Sequence, residues 1–310
     1  MPPPAPKRVN LFLGYILICL IWGTTWLAIK VSINTLPPFF SAGVRFSIAS
    51  LLILAVLKYR KYKYRFDMRE TCFLLLVGLA SFSVPYGLVY WAEQRITSGL
   101  TAVTFAVMPF FAAPLSRFFL KGEELTFWKI FGILIGFSGL LVIFGGDLKI
   151  GSTDAALGIL AVVLSAFFNA VVAVGVKKYG YHIDPVFINL IPMAIGAVTL
   201  LATSFFIEDW GTIRFNVSNL IAIFYLAAFG SVFAFVVYFY LLKHISVVLL
   251  SMTSFVTPLL AIASGSLILG EKFPGGTLVG SALILAGILL MNLFGGRRSG
   301  AARTVPAEEE

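Results

Sequence analysis

Charged and metal-binding side chains are scarce in this chain of 310 residues. Asp, Glu, Lys and Arg together make up 12% of it, and it has two histidines and two cysteines. Soluble domains carry about 25% charged residues, so this low fraction excludes an ordinary soluble protein. Cys19 and Cys72 fall inside apolar runs, where we predict ordinary small apolar side chains. We expect no metal site and no cofactor.

Apolar residues are abundant instead, at 59% of the chain, and the formal net charge is +9. A positive charge of this size can indicate a nucleic-acid partner. Here, however, the basic residues lie in short segments between long apolar runs, which is typical of the cytoplasmic loops of membrane proteins. The composition therefore predicts an integral membrane protein in contact with lipid and without a nucleic-acid partner.

The chain contains an internal repeat at an offset of 148 residues. Lys30 and Pro37 match Lys178 and Pro185 at this offset. The other matched residues are Tyr90, Arg95, Ser98, Gly122, Glu123, Gly132 and Gly139 in the first copy, and Tyr238, Lys243, Ser246, Gly270, Glu271, Gly280 and Gly287 in the second. A duplicated apolar unit is typical of secondary transporters.

Ten apolar stretches are close to the ~20 residues that a helix needs to cross a bilayer. They cover residues 11–33, 39–57, 71–92, 99–120, 127–145, 155–176, 186–207, 217–242, 247–269 and 277–294. We predict a leader at residues 1–10, a first five-helix repeat at 11–146, a second at 147–294 and a disordered tail at 295–310. The boundary between the repeats rests on a predicted break at Gly145-Gly146-Asp147.

The distribution of Lys and Arg predicts the orientation in the membrane. If the N-terminus is cytoplasmic, the outer segments hold only Lys30, Arg95, Lys149, Arg214 and Lys272, and most other basic residues lie inside. Both termini, including the leader and the tail, are therefore expected to be cytoplasmic. Because each copy has an odd number of spans, the second copy must be inverted. The predicted fold class is an all-α membrane protein with ten transmembrane helices in two inverted five-helix repeats.

Several short motifs occur in a specific order over nearly the whole chain. They are Trp22-Gly23, Lys30, Pro37-Pro38, Arg45, Ala92-Glu93, Ser98-Gly99, Pro109, Gly122-Glu123 and Gly132, followed by Pro258, Gly270-Glu271 and Gly280. In this order and spacing the chain resembles the EamA-type exporters of the drug/metabolite transporter superfamily. The resemblance implies a ten-helix inverted repeat in a bacterial inner membrane that exports small metabolites such as amino acids.

The second copy differs from the first at three positions that carry aromatic or charged side chains in the first copy. Trp22, Trp26 and Arg45 correspond to Ala170, Val174 and Met193. Substrate contacts made by the first copy therefore cannot be doubled by symmetry, and we expect a central cavity lined mainly by residues of the first copy.

Three side chains on different spans are predicted to share one depth in the membrane. A rise of about 1.5 Å per residue places Trp26, Arg45 and Tyr86 at this level. A charge near the middle of a membrane helix costs about 2.5–3.5 kcal/mol, so Arg45 needs a partner or water. Three interpretations of Arg45 remain open: extension to the outer headgroups, an ion pair with Glu93, or an anchor for a substrate carboxylate.

Two aromatic side chains and one cation at one level suit an amphipathic or zwitterionic ligand. Trp22 and Tyr90 lie one turn from Trp26 and Tyr86, and Asn169 is the polar residue in the sixth span. Packing between helices is the alternative role for the tryptophans, and a hydrogen bond to a neighbouring helix is the alternative for Asn169. The predicted substrate-binding residues are Trp22, Trp26, Arg45, Tyr86, Tyr90 and Asn169.

Pro109 and Pro258 lie at nearly matching places in the two copies. Each removes a helical hydrogen bond, and together they predict paired hinges or helix breaks beside the transport path. The repeated glycines are expected to allow close approach of helices. Glu123 and Glu271 precede the fifth and tenth spans, whose N-termini a carboxylate would favour.

These features predict a secondary exporter that works by alternating access. Other possible functions are an exporter of drugs, pigments or amines, a channel or an intramembrane enzyme. No Walker-type loop occurs, so we expect no ATP as partner, and no catalytic residues are predicted. No acid lies clearly inside a span, with Glu93 at an outer edge as the exception. We therefore expect facilitated export or exchange. The sequence gives no oligomeric state.

Overall fold

The structure is a computed structural model that describes residues 8–59, 61, 67–120, 124–149, 153–251 and 253–295. Every regular element in these ranges is helical. The ten main helices are α1 (Arg8–Ser32), α2 (Pro38–Tyr59), α3 (Met68–Glu93), α4 (Ser98–Phe119), α5 (Phe127–Lys149), α6 (Thr153–Tyr179), α7 (Phe187–Ile207), α8 (Val217–His244), α9 (Val247–Ser251 and Thr253–Leu269) and α10 (Gly275–Gly295).

The helices have the length and the surface of membrane spans. Seven of the described helices are long and apolar enough to cross a membrane, and shorter apolar segments lie in α5, α9 and α10. Large apolar side chains point outward, among them Phe206 and Leu267, which are 82% and 85% exposed. Such a surface is stable against lipid and not against water. The prediction of an all-α protein with ten transmembrane helices is confirmed.

Two predicted boundaries differ from the structure. The first helix begins at Arg8, inside the predicted leader, while residues 1–7 and 296–310 lie outside the described residues. The predicted break at Gly145-Gly146-Asp147 is wrong, because α5 continues as a helix to Lys149. Glycine is tolerated in membrane helices, and near a membrane surface a continuous helix keeps its backbone hydrogen bonds paired.

Helices α5 and α10 form the most extensive contact between two helices in the described bundle. Gly132 packs against Gly287, and Gly139 packs against Gly280, so closely that a Cβ atom on any of the four would overlap a backbone carbonyl of the facing helix. The repeat offset converts the first pair into the second. The expected role of these glycines in close helix packing is confirmed.

The other main contacts also join helices of the first copy to helices of the second copy. Helix α1 packs against α8 and α9 of the second copy, and α6 packs against α3 and α4 of the first. Helix α2 packs against its own counterpart, α7. Each copy therefore completes the other, and the cavity described below lies between them.

Two lysines join helices at opposite ends of the bundle. The Nζ atom of Lys30, near the end of α1, donates to the carbonyl oxygens of Glu93 and Ile96. The Nζ atom of Lys177, near the end of α6, donates to those of Leu242 and Ile245. Since α1 and α6 cross the bundle in opposite directions, the two contacts lie at opposite ends. Lys177, and not Lys178 as the offset of 148 predicts, is the structural counterpart of Lys30.

Both copies contain a π-helical segment that the sequence pattern did not reveal. It covers Gly78–Ser83 in α3 and Leu226–Phe233 in α8, and both begin at the repeat offset. Ser83 accepts a hydrogen bond from Thr199 of α7, at 2.6 Å between the oxygens. Its repeat equivalent, Ser231, accepts one from Arg45 of α2. Short π-helical segments often mark functional sites in membrane and soluble helices.

Candidate functional site

A central cavity lies between the two copies and encloses about 890 Å³ of space between atoms, including its opening. Seven of the ten helices line it, and α5, α7 and α10 contribute none of the described lining residues. Ten of these residues come from each copy. The expectation that the first copy supplies most of the lining is therefore wrong, because the exchanged packing brings α6, α8 and α9 to the same space.

Arg45 presents the only charged side chain among the described residues that line this cavity. It is 1% exposed. Its Nε donates to the Ser231 hydroxyl at 2.9 Å, and one terminal nitrogen donates to the Tyr90 hydroxyl at 3.3 Å. The guanidinium carbon lies 4.9 Å from the centre of the Tyr86 ring. A guanidinium has five N–H donors, so these two hydrogen bonds leave donors for a further acceptor.

No carboxylate in the described ranges forms an ion pair with Arg45. The interpretation of an Arg45–Glu93 pair is therefore wrong for this structure, since both oxygens of Glu93 lack any hydrogen-bond partner. Extension of Arg45 to lipid headgroups is excluded as well, because the side chain is fully enclosed by protein. A buried cation without a counter-charge is unfavourable unless another group stabilises it.

Tyr86 and Tyr90 lie on the same helix but face different surroundings. Tyr86 lines the cavity, with its ring at 4.8 Å from the Phe46 ring. Tyr90 is fully buried and is not part of the cavity lining; its hydroxyl accepts the hydrogen bond from Arg45. Its position is that of a residue that orients Arg45, so direct contact of Tyr90 with a ligand stays a prediction.

Trp22 reaches across to the second copy. Its indole nitrogen donates to the carbonyl oxygen of Gly230, at 3.2 Å, inside the π-helical segment of α8. Its ring lies 5.2 Å from Phe235 and 5.3 Å from Tyr238, and all three side chains line the cavity. The ring of Trp22 thus forms one aromatic wall of the cavity and also joins the two copies.

Trp26 has a similar ring environment but an unsatisfied polar atom. Its ring packs at 5.4 Å from Phe105 of α4, and the side chain lines the cavity. Its indole nitrogen is buried and has no hydrogen-bond partner. An unpaired buried donor costs about 1–3 kcal/mol, which a ligand acceptor in the cavity would recover.

Asn169 and Ser165 lie one turn apart on α6, and both line the cavity. The amide nitrogen of Asn169 donates to the carbonyl oxygen of Ser165 at 3.0 Å. Asn169 therefore bonds to its own helix, and the expected alternative of a bond to a neighbouring helix is wrong. The Ser165 hydroxyl is buried and has no hydrogen-bond partner.

Sequence reasoning missed several other lining residues. Phe105 and Phe235 complete the aromatic walls, and Thr257 adds a hydroxyl from α9. Nothing in the composition of these apolar helices distinguishes the side facing the cavity from the side facing lipid. An amide side chain inside an apolar span, as with Asn169, was the usable signal.

The two prolines differ in their effect on the backbone. Helix α4 is interrupted at Ala106–Val107, directly before the segment that carries Pro109. The helix from Thr253 to Leu269 runs through Pro258 without a break. Within the described part of α9 the helix break expected at Pro258 is therefore not seen, and a hinge role for either proline stays a prediction.

Glu93 and Glu271 lie close to the same end of the bundle. Glu93 is the last residue of α3 and is 0% exposed, although it was expected at an open outer edge. Glu271 was expected to stabilise the N-terminus of α10, but it binds that of α4: its oxygens accept from the backbone nitrogens of Ser98 (2.8 Å) and Gly99 (3.2 Å). The prediction that Glu271 binds a helix N-terminus is confirmed, but the prediction that this helix is α10 is wrong. Glu123 lies outside the described residues.

The fold and the cavity define a multi-pass membrane protein with a central cavity between two related halves. A model of the EamA-like transporter family matches residues 10–145 and again residues 156–293. The chain therefore belongs to the EamA-like transporter family, and it is built from two copies of the family's unit.

Individual relatives agree with this assignment. The "Uncharacterized inner membrane transporter YedA" of Escherichia coli is 31% identical over 93% of this chain and 92% of its own length. The "Uncharacterized transporter YoaV" of Bacillus subtilis is 30% identical over 92% of this chain and 97% of its own. A solved structure titled "Crystal structure of protein" has a TM-score of 0.71 at 19% identity and covers 94% of this chain and 100% of its own, which shows the shared fold.

Proposed function

We propose that this protein is a secondary exporter of small metabolites, in the first place amino acids and related amphipathic or zwitterionic compounds. It works by alternating access through the central cavity. One observation carries the proposal: the guanidinium of Arg45 lines that cavity with unused donors and forms no ion pair with an acid among the described residues. A ligand carboxylate supplies the missing charge and fits the planar geometry of the guanidinium.

The aromatic walls support an amphipathic ligand. Trp22, Trp26 and Tyr86 offer ring faces to an apolar side chain, and the same faces attract the ammonium group of an amino acid. No acid lines the cavity within the described ranges, so ring faces and neutral oxygens are what the cavity offers to a cation. A carboxylate on Arg45 and an adjacent ammonium on an aromatic face together describe a zwitterion.

Export of drugs, pigments or amines is the second candidate. The aromatic side chains of the cavity favour uncharged apolar compounds, whereas the cation of Arg45 disfavours amines. A channel or an intramembrane enzyme has less support. Among its described lining residues the cavity has no Asp, Glu, His or Cys for catalysis, and a channel requires a continuous polar pathway.

We place the protein in the bacterial inner membrane with both termini in the cytoplasm, following the Lys and Arg distribution. The exposed residues Gly211 and Met68 test this orientation, because they lie on opposite sides of the proposed topology. In a variant without native cysteines, an impermeant thiol reagent applied to intact cells should label Gly211→Cys and not Met68→Cys. The reverse pattern would invert the topology.

Transport is proposed to follow the gradient of the substrate, as facilitated export or exchange. In proteoliposomes an imposed pH gradient should produce no uphill accumulation of a zwitterionic substrate. Accumulation that a protonophore abolishes would contradict this mode and would make Glu93 the first candidate for proton binding.

A counterflow screen in proteoliposomes tests the proposed function itself. Liposomes preloaded with one compound receive traces of labelled amino acids, amines and nucleotide conjugates. We expect saturable counterflow with amino acids and little with amines. Saturable flux of amines alone, or unsaturable conductance in single-channel recordings, would contradict the proposal.

A further inference from the structure

Two polar groups of the cavity lack hydrogen-bond partners, and they lie on helices other than those that contact Arg45. Arg45 contacts Tyr86 and Tyr90 of α3 and Ser231 of α8. The indole nitrogen of Trp26 and the hydroxyl of Ser165 are unpaired, and they belong to α1 and α6. Trp26 packs on Phe105 of α4, and α4 packs on α6. The two unpaired groups therefore lie on two helices, α1 and α6, that both pack against α4.

Burial makes these two atoms unusual among cavity residues. Ser165 is 0% exposed and Trp26 is 8% exposed, so neither polar atom is satisfied by bulk water. Buried polar groups in proteins are hydrogen-bonded in the great majority of cases. Two exceptions that line one cavity indicate that the partner is a molecule which occupies the cavity.

The chemistry of this partner follows from the donors and acceptors present. The indole N–H of Trp26 can only donate. The amide nitrogen of Asn169 is held by the carbonyl oxygen of Ser165, which leaves the Asn169 side-chain oxygen as an acceptor. The Ser165 hydroxyl can act in either role. A neutral group that both accepts and donates, such as a hydroxyl or a carboxamide, satisfies all three.

We propose that Trp26, Ser165 and Asn169 form a second polar subsite that binds a neutral hydroxyl or carboxamide group of the transported molecule. The proposal rests on the proposed function, in which Arg45 binds the carboxylate of the same molecule. The subsite makes the protein selective among amino acids: it favours those with a hydroxyl or amide in the side chain over apolar isosteres. It also assigns a role to Ser165, which the sequence does not single out.

Matched substrate pairs test this subsite. Counterflow of labelled threonine and valine, and of tyrosine and phenylalanine, is measured in proteoliposomes with the full-length protein. The wild type should prefer the hydroxylated member of at least one pair by about three- to ten-fold, the expected effect of one net hydrogen bond. Ser165→Ala and Trp26→Phe should each bring this ratio close to one by slowing the hydroxylated substrate alone.

Thr104→Val is the matched control. The Thr104 hydroxyl is also buried and unpaired, but Thr104 does not line the cavity. Its substitution should leave the substrate ratio unchanged. Ser165→Ala should unfold at the same or a slightly higher temperature than the wild type, because it removes an unsatisfied buried group. Lower selectivity without lower stability separates a binding role from a structural one.

The outcomes distinguish the subsite from the proposed function. Equal transport of both members of each pair by the wild type would overturn the subsite and leave the exporter proposal intact. A preference that survives in both Ser165→Ala and Trp26→Phe would overturn it as well. Absence of counterflow with all four amino acids would overturn the subsite as well, whereas saturable flux of amines alone in the counterflow screen would overturn the proposed function.

Discussion

In the first copy, Trp22, Trp26 and Arg45 face the central cavity, whereas the repeat places Ala170, Val174 and Met193 at the equivalent positions of the second copy. The second copy contributes its own polar groups to the same cavity, which are Ser165, Asn169, Thr253, Ser254 and Thr257. One half thus supplies a cation and indole rings, and the other supplies neutral oxygens and amides.

The contacts that hold the helices together, in contrast, are shared by the two copies. The glycine contacts of α5 and α10, the lysine contacts of Lys30 and Lys177, and the two π-helical segments occur in both copies. Features that hold the bundle together are therefore duplicated, and the side chains that line the cavity are not. In an inverted repeat this is expected, because both halves must move in related ways around a single asymmetric molecule.

The glycine pairs should give the largest effect on stability, and equally in both copies. Gly132→Ala and Gly280→Ala each introduce a Cβ atom that overlaps a carbonyl of the facing helix. Each should destabilise the protein by about 3 kcal/mol, the upper range for overpacking. Thermal unfolding in detergent checks the loss.

Gly175→Ala provides the control for the glycine variants. Gly175 is also inside a helix, and nothing lies within 4 Å of a Cβ placed there. The unfolding temperature of the Gly175→Ala variant should therefore stay unchanged or rise slightly. If Gly132→Ala were as stable as Gly175→Ala, the close contact of α5 and α10 would be wrong.

The lysine contacts should give a smaller effect, again at both ends. Lys30→Met and Lys177→Met each remove a charged donor from two carbonyl oxygens at a helix end, at a cost of about 2 kcal/mol. Lys178→Met is the comparison, because the described contacts of Lys178 are with the rings of Phe119 and Tyr179. Its loss should be clearly smaller in the same unfolding assay. If Lys178→Met lost more stability than Lys177→Met, Lys178 would be the counterpart of Lys30, as the offset of 148 predicts.

Substitutions of the two carboxylates at this end of the bundle, Glu271 and Glu93, should give the smallest effects. Glu271→Gln weakens charged hydrogen bonds to the N-terminus of α4 and should cost about 1 kcal/mol. Glu93→Gln removes no hydrogen bond, since both oxygens of Glu93 are unpaired, and it should leave unfolding and transport close to wild type. A loss of transport by Glu93→Gln at normal stability would show that Glu93 takes part in the transport cycle.

Local sequence signals were sufficient for the number of helices and for part of the site. Long apolar runs can only be buried in lipid as helices, and an arginine inside such a run is a site by default. This reasoning found Arg45, and a count of residues along each span placed Trp26 and Tyr86 at its level. These side chains do line one cavity.

The remaining features depend on contacts between distant parts of the chain. Ser165 resembles any small residue of a membrane helix until α6 is placed against α4. Glu271 binds a helix 173 positions away instead of the one that follows it. The π-helical segments arise from a shift in hydrogen-bond register that no residue type enforces. None of these can be read from periodicity within a single helix.

The central claim, that charge recognition belongs to the first copy alone, is tested most directly by comparing Arg45 with its counterpart. Counterflow of an amino acid that the screen identifies is measured for Arg45→Lys, Arg45→Ala and Met193→Leu at matched protein levels. Lysine keeps the charge but loses the planar donor geometry, so we expect Arg45→Lys to reduce transport at least about ten-fold. Arg45→Ala should abolish transport, and Met193→Leu should transport like the wild type. Full transport by Arg45→Ala would contradict the claim.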